Sequence, residues 1–202
     1  NYALAGKVLE HVTGVDETAP GSAVKNSGTI HADGGQVILQ ASAAGDIFSS
    51  VVNQSGVIRA RSLTHEDGIV RLDGGDSGQV TLAGTIDASG PASGQTGGRV
   101  SLLGESVTLT PTARIDVSGA GGGGTALIGG QFQGRGTEPT ATTTLVADRA
   151  SISADALTQG TGGTVIVWAD GHTQYAGTIS AQGGASGGHG GFVEVSGKQA
   201  LD

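Results

Sequence analysis

The sequence predicts an all-β protein that winds into a parallel β-helix, a solenoid whose short strands stack coil upon coil. Three observations predict this fold. An isoleucine motif recurs with a period near 28 residues, each period holds three short runs of alternating polarity, and glycines punctuate the runs. Side chains alternate between the two faces of a strand, so each run has one apolar face. Units of this length that cannot bury that face alone are typical of stacked repeats.

The composition excludes several other classes. The 202 residues include 39 glycines and only six aromatic residues, which is too little bulk for an ordinary globular core. The glycines do not recur at every third position, so a collagen helix is excluded. Charged residues make up only 14%, and the aliphatic residues are regularly spaced, which argues against disorder.

Charge and residue usage also limit the partners. The net charge of −8 argues against nucleic acid and against an anionic membrane as partners. No apolar run approaches the length of a membrane span. The absence of cysteine excludes a disulfide scaffold or a thiolate metal site.

Because the chain has neither a starting methionine nor a signal peptide, we expect residues 1–202 to be a single β-helix segment excised from a longer chain.

Three repeated elements define the coil. In each, apolar residues two places apart flank a freely varying residue, which indicates an inward and an outward face. We therefore expect six to seven coils with three short strands each. The first element has Ile30, Ile58, Ile86, Ile115, Ile152 and Ile179. The second has the pairs Val37/Leu39, Val70/Leu72, Val100/Leu102, Ala126/Ile128, Val165/Val167 and Val193/Val195. The third, six residues before each isoleucine, has Val24, Val52, Val80, Leu109, Val146 and Thr173.

The corners and ends are less regular. Corner glycines are expected to supply the positive φ that tight turns often need. The long glycine-rich loops at residues 89–98, 118–124 and 182–191 are predicted to form one flexible face. Residues 1–23 fit the repeat worst and are expected to form an imperfect first coil.

One isoleucine spacing, of 37 residues, holds an insertion at about residues 131–144. Contiguous apolar groups that face outward usually mark a covered or binding surface. We expect the insertion to pack over such a patch on the outer face; a groove for a ligand or partner, or an error of register, are the alternatives. Trp168 would be cover if buried and a stacking platform for a sugar ring if exposed. The patch consists of Leu127, Phe132, Ile166, Trp168 and Phe192.

Catalytic and metal-binding chemistry has weak support. Asp87 and Asp116 occupy the same outward position on successive coils, about 5 Å apart, where two carboxylates could perform glycosidic acid/base chemistry. A surface charge ladder in which Arg59 pairs with Asp87 is the favoured interpretation, so no catalytic residue is assigned. No metal or cofactor is expected, because the five histidines are scattered and the loop at 183–191 lacks the aspartate of calcium-binding glycine repeats.

Several segments resemble the filamentous-haemagglutinin-like exoproteins of bacterial two-partner secretion. The resemblance covers residues 24–202, and it is carried by GGTVIVWADG at 162–171, by the segment 175–198 and by the block 115–134. It implies a right-handed β-helix, export through an outer-membrane partner pore, and adhesion. The segment is similar to the early repeat region beyond the family's N-terminal secretion domain.

The leading functional expectation is a rod or stalk segment of a large secreted or surface-displayed adhesin, without enzymatic activity, that supports cell-surface or biofilm adhesion. A carbohydrate-binding module that uses the loop face or the Trp168 patch is the alternative. A polysaccharide-active enzyme at Asp87 and Asp116 is the third hypothesis. Expected partners are the secretion pore and a host or matrix glycan or protein receptor. The fragment is expected to be monomeric, with end-to-end contacts as its one route to association.

Overall fold

A computed structural model describes residues 22–41, 50–63 and 67–202. It is a parallel β-solenoid of about six coils with three strands per coil, which confirms the predicted fold class. Of the predicted imperfect first coil at 1–23, only Ser22 and Ala23 lie within the described residues. The strands form three sheets in which every pairing is parallel.

The strands are, in chain order, β1 (Ser22–Asn26), β2 (Thr29–His31), β3 (Gln36–Gln40), β4 (Ser50–Gln54), β5 (Val57–Arg59), β6 (Ile69–Asp73), β7 (Gln79–Leu82), β8 (Thr85–Asp87), β9 (Arg99–Leu103), β10 (Ser106–Leu109), β11 (Arg114–Asp116), β12 (Thr125–Ile128), β13 (Thr143–Val146), β14 (Ser151–Ser153), β15 (Thr164–Ala169), β16 (His172–Tyr175), β17 (Thr178–Ser180), β18 (Phe192–Gly197) and β19 (Ala200–Leu201). Sheet 1 has the order β1-β4-β7-β10-β13-β16-β19. Sheet 2 has the order β2-β5-β8-β11-β14-β17, and sheet 3 has the order β3-β6-β9-β12-β15-β18.

Columns of identical repeat positions fill the interior. The six isoleucines of the first element are Cα partners from coil to coil along sheet 2. The second element stacks as predicted along sheet 3, for example Val100 on Val70 and Val165 on Ala126. Most of these side chains have no accessible surface. Full burial of one such side chain contributes about 1.5–3 kcal/mol, so the columns are the main source of stability.

The third element stacks differently from the prediction. The sequence predicts Leu109 and Val146 in the column of Val80, but Val80 pairs with Val107, and Val107 pairs with Thr144. The reason is a longer corner: Ile115 follows Val107 by eight residues, whereas Ile86 follows Val80 by six. Because side chains alternate with a period of two, a slip of two residues keeps the inward face and changes only the column.

A column of glycines precedes the strands of sheet 3. A Cβ on Gly98, Gly124 or Gly163 would lie 2.1 Å from the carbonyl oxygen of the preceding glycine in the column, and one on Gly191 would lie 2.0 Å from that of Gly163. None of these residues has a positive φ. These corners therefore require glycine because the backbones of adjacent coils approach closely, and not for the turn conformation that the sequence predicts.

The glycine-rich loops between sheets 2 and 3 are hydrogen-bonded to one another. The Gly90 amide donates to the Ser118 carbonyl at 2.8 Å, and the Gly119 amide donates to the Asp155 carbonyl at 2.9 Å. Bridges also join Thr96 to Gly122. The loops thus extend the coil stack, in contrast to the flexible face predicted from their composition, because residues without side chains let successive backbones reach hydrogen-bonding distance.

Candidate functional site: the covered outer face of sheet 3

The outer face of sheet 3 carries a row of side chains that faces away from the solenoid core. The register places Arg71, Ser101, Leu127, Ile166 and Glu194 side by side on successive strands. Leu127 and Ile166 are only 3% and 4% exposed, although they point outward. Another part of the chain must therefore cover the middle of this face.

The cover is the segment between β12 and β13, residues 129–142, which we call the strap. It contains a short 3-10 turn at Phe132–Gly134. The sequence places the insertion at about residues 131–144, and the last two of these, Thr143 and Thr144, belong to β13. Thr144 points inward, is buried, and donates its hydroxyl to the Trp168 carbonyl at 2.7 Å. A threonine in an apolar column is invisible to a search for aliphatic periodicity.

Trp168 lies beneath the strap. It is 7% exposed and packs with Leu127 and Ile166 in a cluster separate from the main core. A Cβ on Gly134 would lie 2.8 Å from atoms of the indole ring, so the ring contacts the strap backbone directly. Such close contact requires a residue without a side chain at this position.

Asp170 joins Trp168 to the strap. The indole Nε1 donates to Asp170 Oδ1 at 3.2 Å, and the Thr140 hydroxyl donates to Asp170 Oδ2 at 2.8 Å. A buried indole normally needs a partner for its N–H group, and the carboxylate supplies it. The cover is thus apolar in its centre and hydrogen-bonded at its border.

Ionic contacts hold the strap over the N-terminal side of the sheet. Glu138 accepts a 2.6 Å hydrogen bond from Arg71 and lies 3.9 Å from the Arg99 guanidinium. Arg71 also donates to Asp73 at 2.8 Å. Burial opposes the charge of Arg71, but its bonds to Glu138 and Asp73 outweigh that effect and raise its pKa. The Arg71 guanidinium therefore stays charged in this contact.

The C-terminal side of the strap has both polar and aromatic contacts. The backbone N–H group of Gln133 donates to a Glu194 carboxylate oxygen at 3.1 Å. Glu194 also accepts a 2.7 Å bond from the Ser196 hydroxyl. Beside this contact, the rings of Phe132 and Phe192 meet edge to face at 5.4 Å, and the two residues are 44% and 47% exposed.

The structure divides the predicted patch into two parts. Leu127, Ile166 and Trp168 form the covered cluster, whereas Phe132 and Phe192 form an exposed pair at its border. The polar groups that attach the strap were not anticipated from the sequence. One signal was available for Glu138, which is the only acidic residue in 129–142 and lies in the insertion that the repeat period had already isolated.

Asp87 and Asp116 are neighbours in sheet 2, as predicted. Asp87 accepts hydrogen bonds from the amide and hydroxyl of Ser89, at 3.1 and 2.6 Å, and from Arg61 at 2.7 Å. Asp116 accepts a 2.9 Å bond from the Ser118 amide. Both oxygens of Asp87 are therefore engaged in local contacts, which is the arrangement of a surface charge ladder.

The predicted pair between Arg59 and Asp87 is wrong in its partners. The two residues are Cα neighbours, but Arg59 donates to Asp33 through Nε at 3.1 Å, and Arg61 pairs with Asp87 instead. The hydrogen bond from Arg59 lowers the pKa of Asp33, against the smaller opposing effect of burial. Arg59 therefore pairs with the coil before it, whereas Arg61 pairs with the coil after it.

Within the described ranges, no group of three or more histidine and carboxylate side chains is arranged to hold a metal ion. In the same part of the chain, no helix has the length and apolar character needed to cross a membrane. Of the five histidines, His11 and His65 lie outside the described residues. His172 contacts Asp202 at 2.7 Å on the surface.

The fold and its covered outer face define a class: a three-sheet parallel β-solenoid with one external strap. No family model and no curated protein matches the sequence. Among solved structures, the chain is similar to the HMW1 secretion domain from Haemophilus influenzae, with 30% sequence identity and a TM-score of 0.71. The similarity covers 87% of this chain and 44% of that one, so this chain spans less than half of the matched structure. The matched protein is a secretion domain, whereas the sequence analysis places this segment beyond such a domain.

Proposed function

We propose that this chain is a rod segment of a large bacterial exoprotein that is exported by two-partner secretion and supports adhesion at the cell surface or in a biofilm. The observation that carries the proposal is the unbroken stack of parallel strands in all three sheets. Each coil adds about 4.8 Å of length, so the stack acts as a spacer between the regions at its two ends.

Export through an outer-membrane pore suits the chemistry of the chain. The sequence has no cysteine, so an unfolded chain in transit forms no disulfide cross-links. Strands of adjacent coils are about 28 residues apart, and each coil can pack onto the one before it as the chain emerges. The resemblance to filamentous-haemagglutinin-like exoproteins and the similarity to the HMW1 secretion domain support the same route.

The test uses bacteria that produce the parent exoprotein, with and without its partner pore. Antibodies against residues 22–202 should label the surface or the medium only when the pore is present. Removal of this segment from the parent should reduce adhesion. The purified segment alone should bind no receptor. Labelling that persists without the pore would contradict the proposed export route, and unchanged adhesion would contradict the spacer role.

Carbohydrate binding is a second candidate, and the exposed pair of Phe132 and Phe192 favours it. Two aromatic rings at a surface offer a stacking platform for a sugar. The covered Trp168 offers none while the strap is in place. A glycan array should then detect binding that Phe192→Ala abolishes and Leu157→Ala, at an equally exposed loop position, leaves intact. No binding by the unmodified segment would exclude this candidate.

A further inference from the structure

The strap makes contacts that a simple solenoid lacks. In a solenoid each repeat contacts only its neighbours, so stability is a sum of local terms. Here Glu138 reaches Arg71, 67 residues earlier, and Gln133 reaches Glu194, 61 residues later. Arg71 lies on β6 and Glu194 on β18, and three strands of sheet 3 separate them. At about 4.8 Å per strand, the strap spans roughly 19 Å of the stack.

We propose that the strap is a brace that couples the stability of non-neighbouring coils, so that the coils carrying β6 and β18 open together. This inference depends on neither export nor adhesion. It assigns a conformational role to a segment that the repeat itself does not need.

The three attachments of the strap support coupling over simple tolerance of an insertion. A passive surface loop needs no contacts of its own, yet this one is fixed at the Glu138 side, at the Gln133 side, and over Trp168 in the middle. Glu138 is only 19% exposed, and a partly buried carboxylate is costly without its cationic partner.

The contacts between the Glu138 end and the Gln133 end of the strap form one continuous chain of packed and hydrogen-bonded side chains. Trp168 packs on Leu127 and Ile166, which lie on neighbouring strands between β6 and β18. Asp170 binds both the indole and Thr140 of the strap. If the coil of β18 opened, Trp168 and the Gln133 contact would lose support, and the strap would hold Glu138 against Arg71 less firmly. The coupling is reciprocal, as any energetic coupling between sites must be.

The experiment is hydrogen exchange of the whole chain, with a change at one end of the strap and a readout at the other. In Glu138→Gln, we expect the amides of β18 to exchange about fivefold faster, the factor that corresponds to roughly 1 kcal/mol. In Glu194→Gln, we expect the same change in the amides of β6. Glu105→Gln is the matched control, because Glu105 is exposed in the turn between β9 and β10. It should alter neither strand.

A double variant sharpens the test. If the brace is one unit, the fold-increase in exchange rate of the variant that carries both Glu138→Gln and Glu194→Gln should be well below the product of the two single fold-increases. The reason is that either change already releases the strap. Arg59→Gln on β5 with Asp155→Asn in the loop after β14 is the control pair, and its effects should multiply. The proposal is overturned if each change acts only at its own end, or if the strap pair multiplies like the control pair.

Discussion

Both faces of sheet 3 are buried at β12 and β15, but they are covered in different ways. The inner face is closed by repetition: Val100, Ala126 and Val165 occupy the same position in successive coils and stack on one another. The outer face is closed by a segment that occurs once, the strap, over Leu127 and Ile166. The comparison teaches that a repeat period accounts for contacts between neighbouring coils and not for a cover that comes from outside the period.

The largest expected effect comes from a charge placed on either face of β15. Val165→Asp buries an unpaired carboxylate in the core column and should cost more than about 4 kcal/mol of unfolding free energy. Ile166→Asp places the same charge under the strap and should cost about 3 kcal/mol. Denaturant titration followed by circular dichroism measures both.

Sheet 2 is the control for this prediction because no segment within residues 22–41, 50–63 and 67–202 covers its outer face. There, Ile86→Asp should be as damaging as Val165→Asp, because Ile86 is fully buried. Asp87→Ser should cost about 1 kcal/mol, because it removes a partly buried ion pair whose Arg61 side chain is 42% exposed. If Ile86→Asp and Asp87→Ser melt alike, the assignment of inner and outer faces is wrong.

The glycine column should give the next largest effect. A Cβ at Gly163 would lie 2.1 Å from the Gly124 carbonyl oxygen, so Gly163→Ala forces two coils apart. We expect a loss of about 3 kcal/mol, typical of backbone strain combined with lost packing. Gly190→Ala is the matched control, because its nearest atom is 3.8 Å away. Equal melting temperatures for the two variants would contradict the role of close backbone approach.

Trp168→Ala tests the outer face without adding charge. The substitution removes the largest cover of Leu127 and Ile166 and should cost about 2–3 kcal/mol, toward the low end for large apolar truncations because the strap can settle into the space. Phe192→Ala removes a half-exposed ring and should cost less than about 1 kcal/mol. As the only tryptophan, Trp168 also reports on the strap: its fluorescence should resist iodide quenching in the native chain and in the Phe192 variant.

The smallest expected effect is a dependence on pH at the uncovered surface of sheet 2. The hydrogen bond from Arg59 lowers the pKa of Asp33 below its ordinary value of 3.8. The folded state therefore binds this proton less readily than the unfolded state. The stability that the pair contributes is present above pH 3.8 and is lost as the pH falls through the lowered pKa.

Asp33→Asn should remove that dependence. The difference in unfolding free energy between the native chain and this variant should shrink as the pH falls from about 5 to about 2, because the Asp33 carboxylate takes up its proton on the order of this range. Arg59→Gln should remove the same dependence, because the Arg59 hydrogen bond is the main cause that lowers the Asp33 pKa. A constant difference for Asp33→Asn across this range would refute the assignment.

Much of the inner face was predictable because a period survives local variation. The isoleucine column and all six pairs of the second element stack as the spacing predicts, since each side chain needs only the coil on either side. The third element shows the limit of this reasoning. Two extra residues at a corner moved Leu109 and Val146 into another column while their alternation stayed the same, and Thr144 concealed the true partner of Val107.

The attachments of the strap were not predictable for a different reason. Its contact from Glu138 to Arg71 depends on the path of a segment that has no counterpart among the described residues of the other coils, so no spacing encodes it. The repeat period did locate the insertion and the apolar residues below it. Which groups are finally covered, Trp168 and not Phe132, depends on how the strap passes over the indole ring at Gly134, and that path follows only from the assembled coils.

Because the isoleucines stack in register, the length of the solenoid can change only in steps of one coil. Ile30 and Ile58 are 28 residues apart and occupy equivalent sites, so excision of residues 30–57 would rejoin the chain one coil shorter with its columns still aligned. Each such removal or duplication would change the length by about 4.8 Å, and removal of part of a coil would misalign the columns. The coils from β6 to β18 cannot be removed or duplicated in this way, because the strap spans a fixed number of strands.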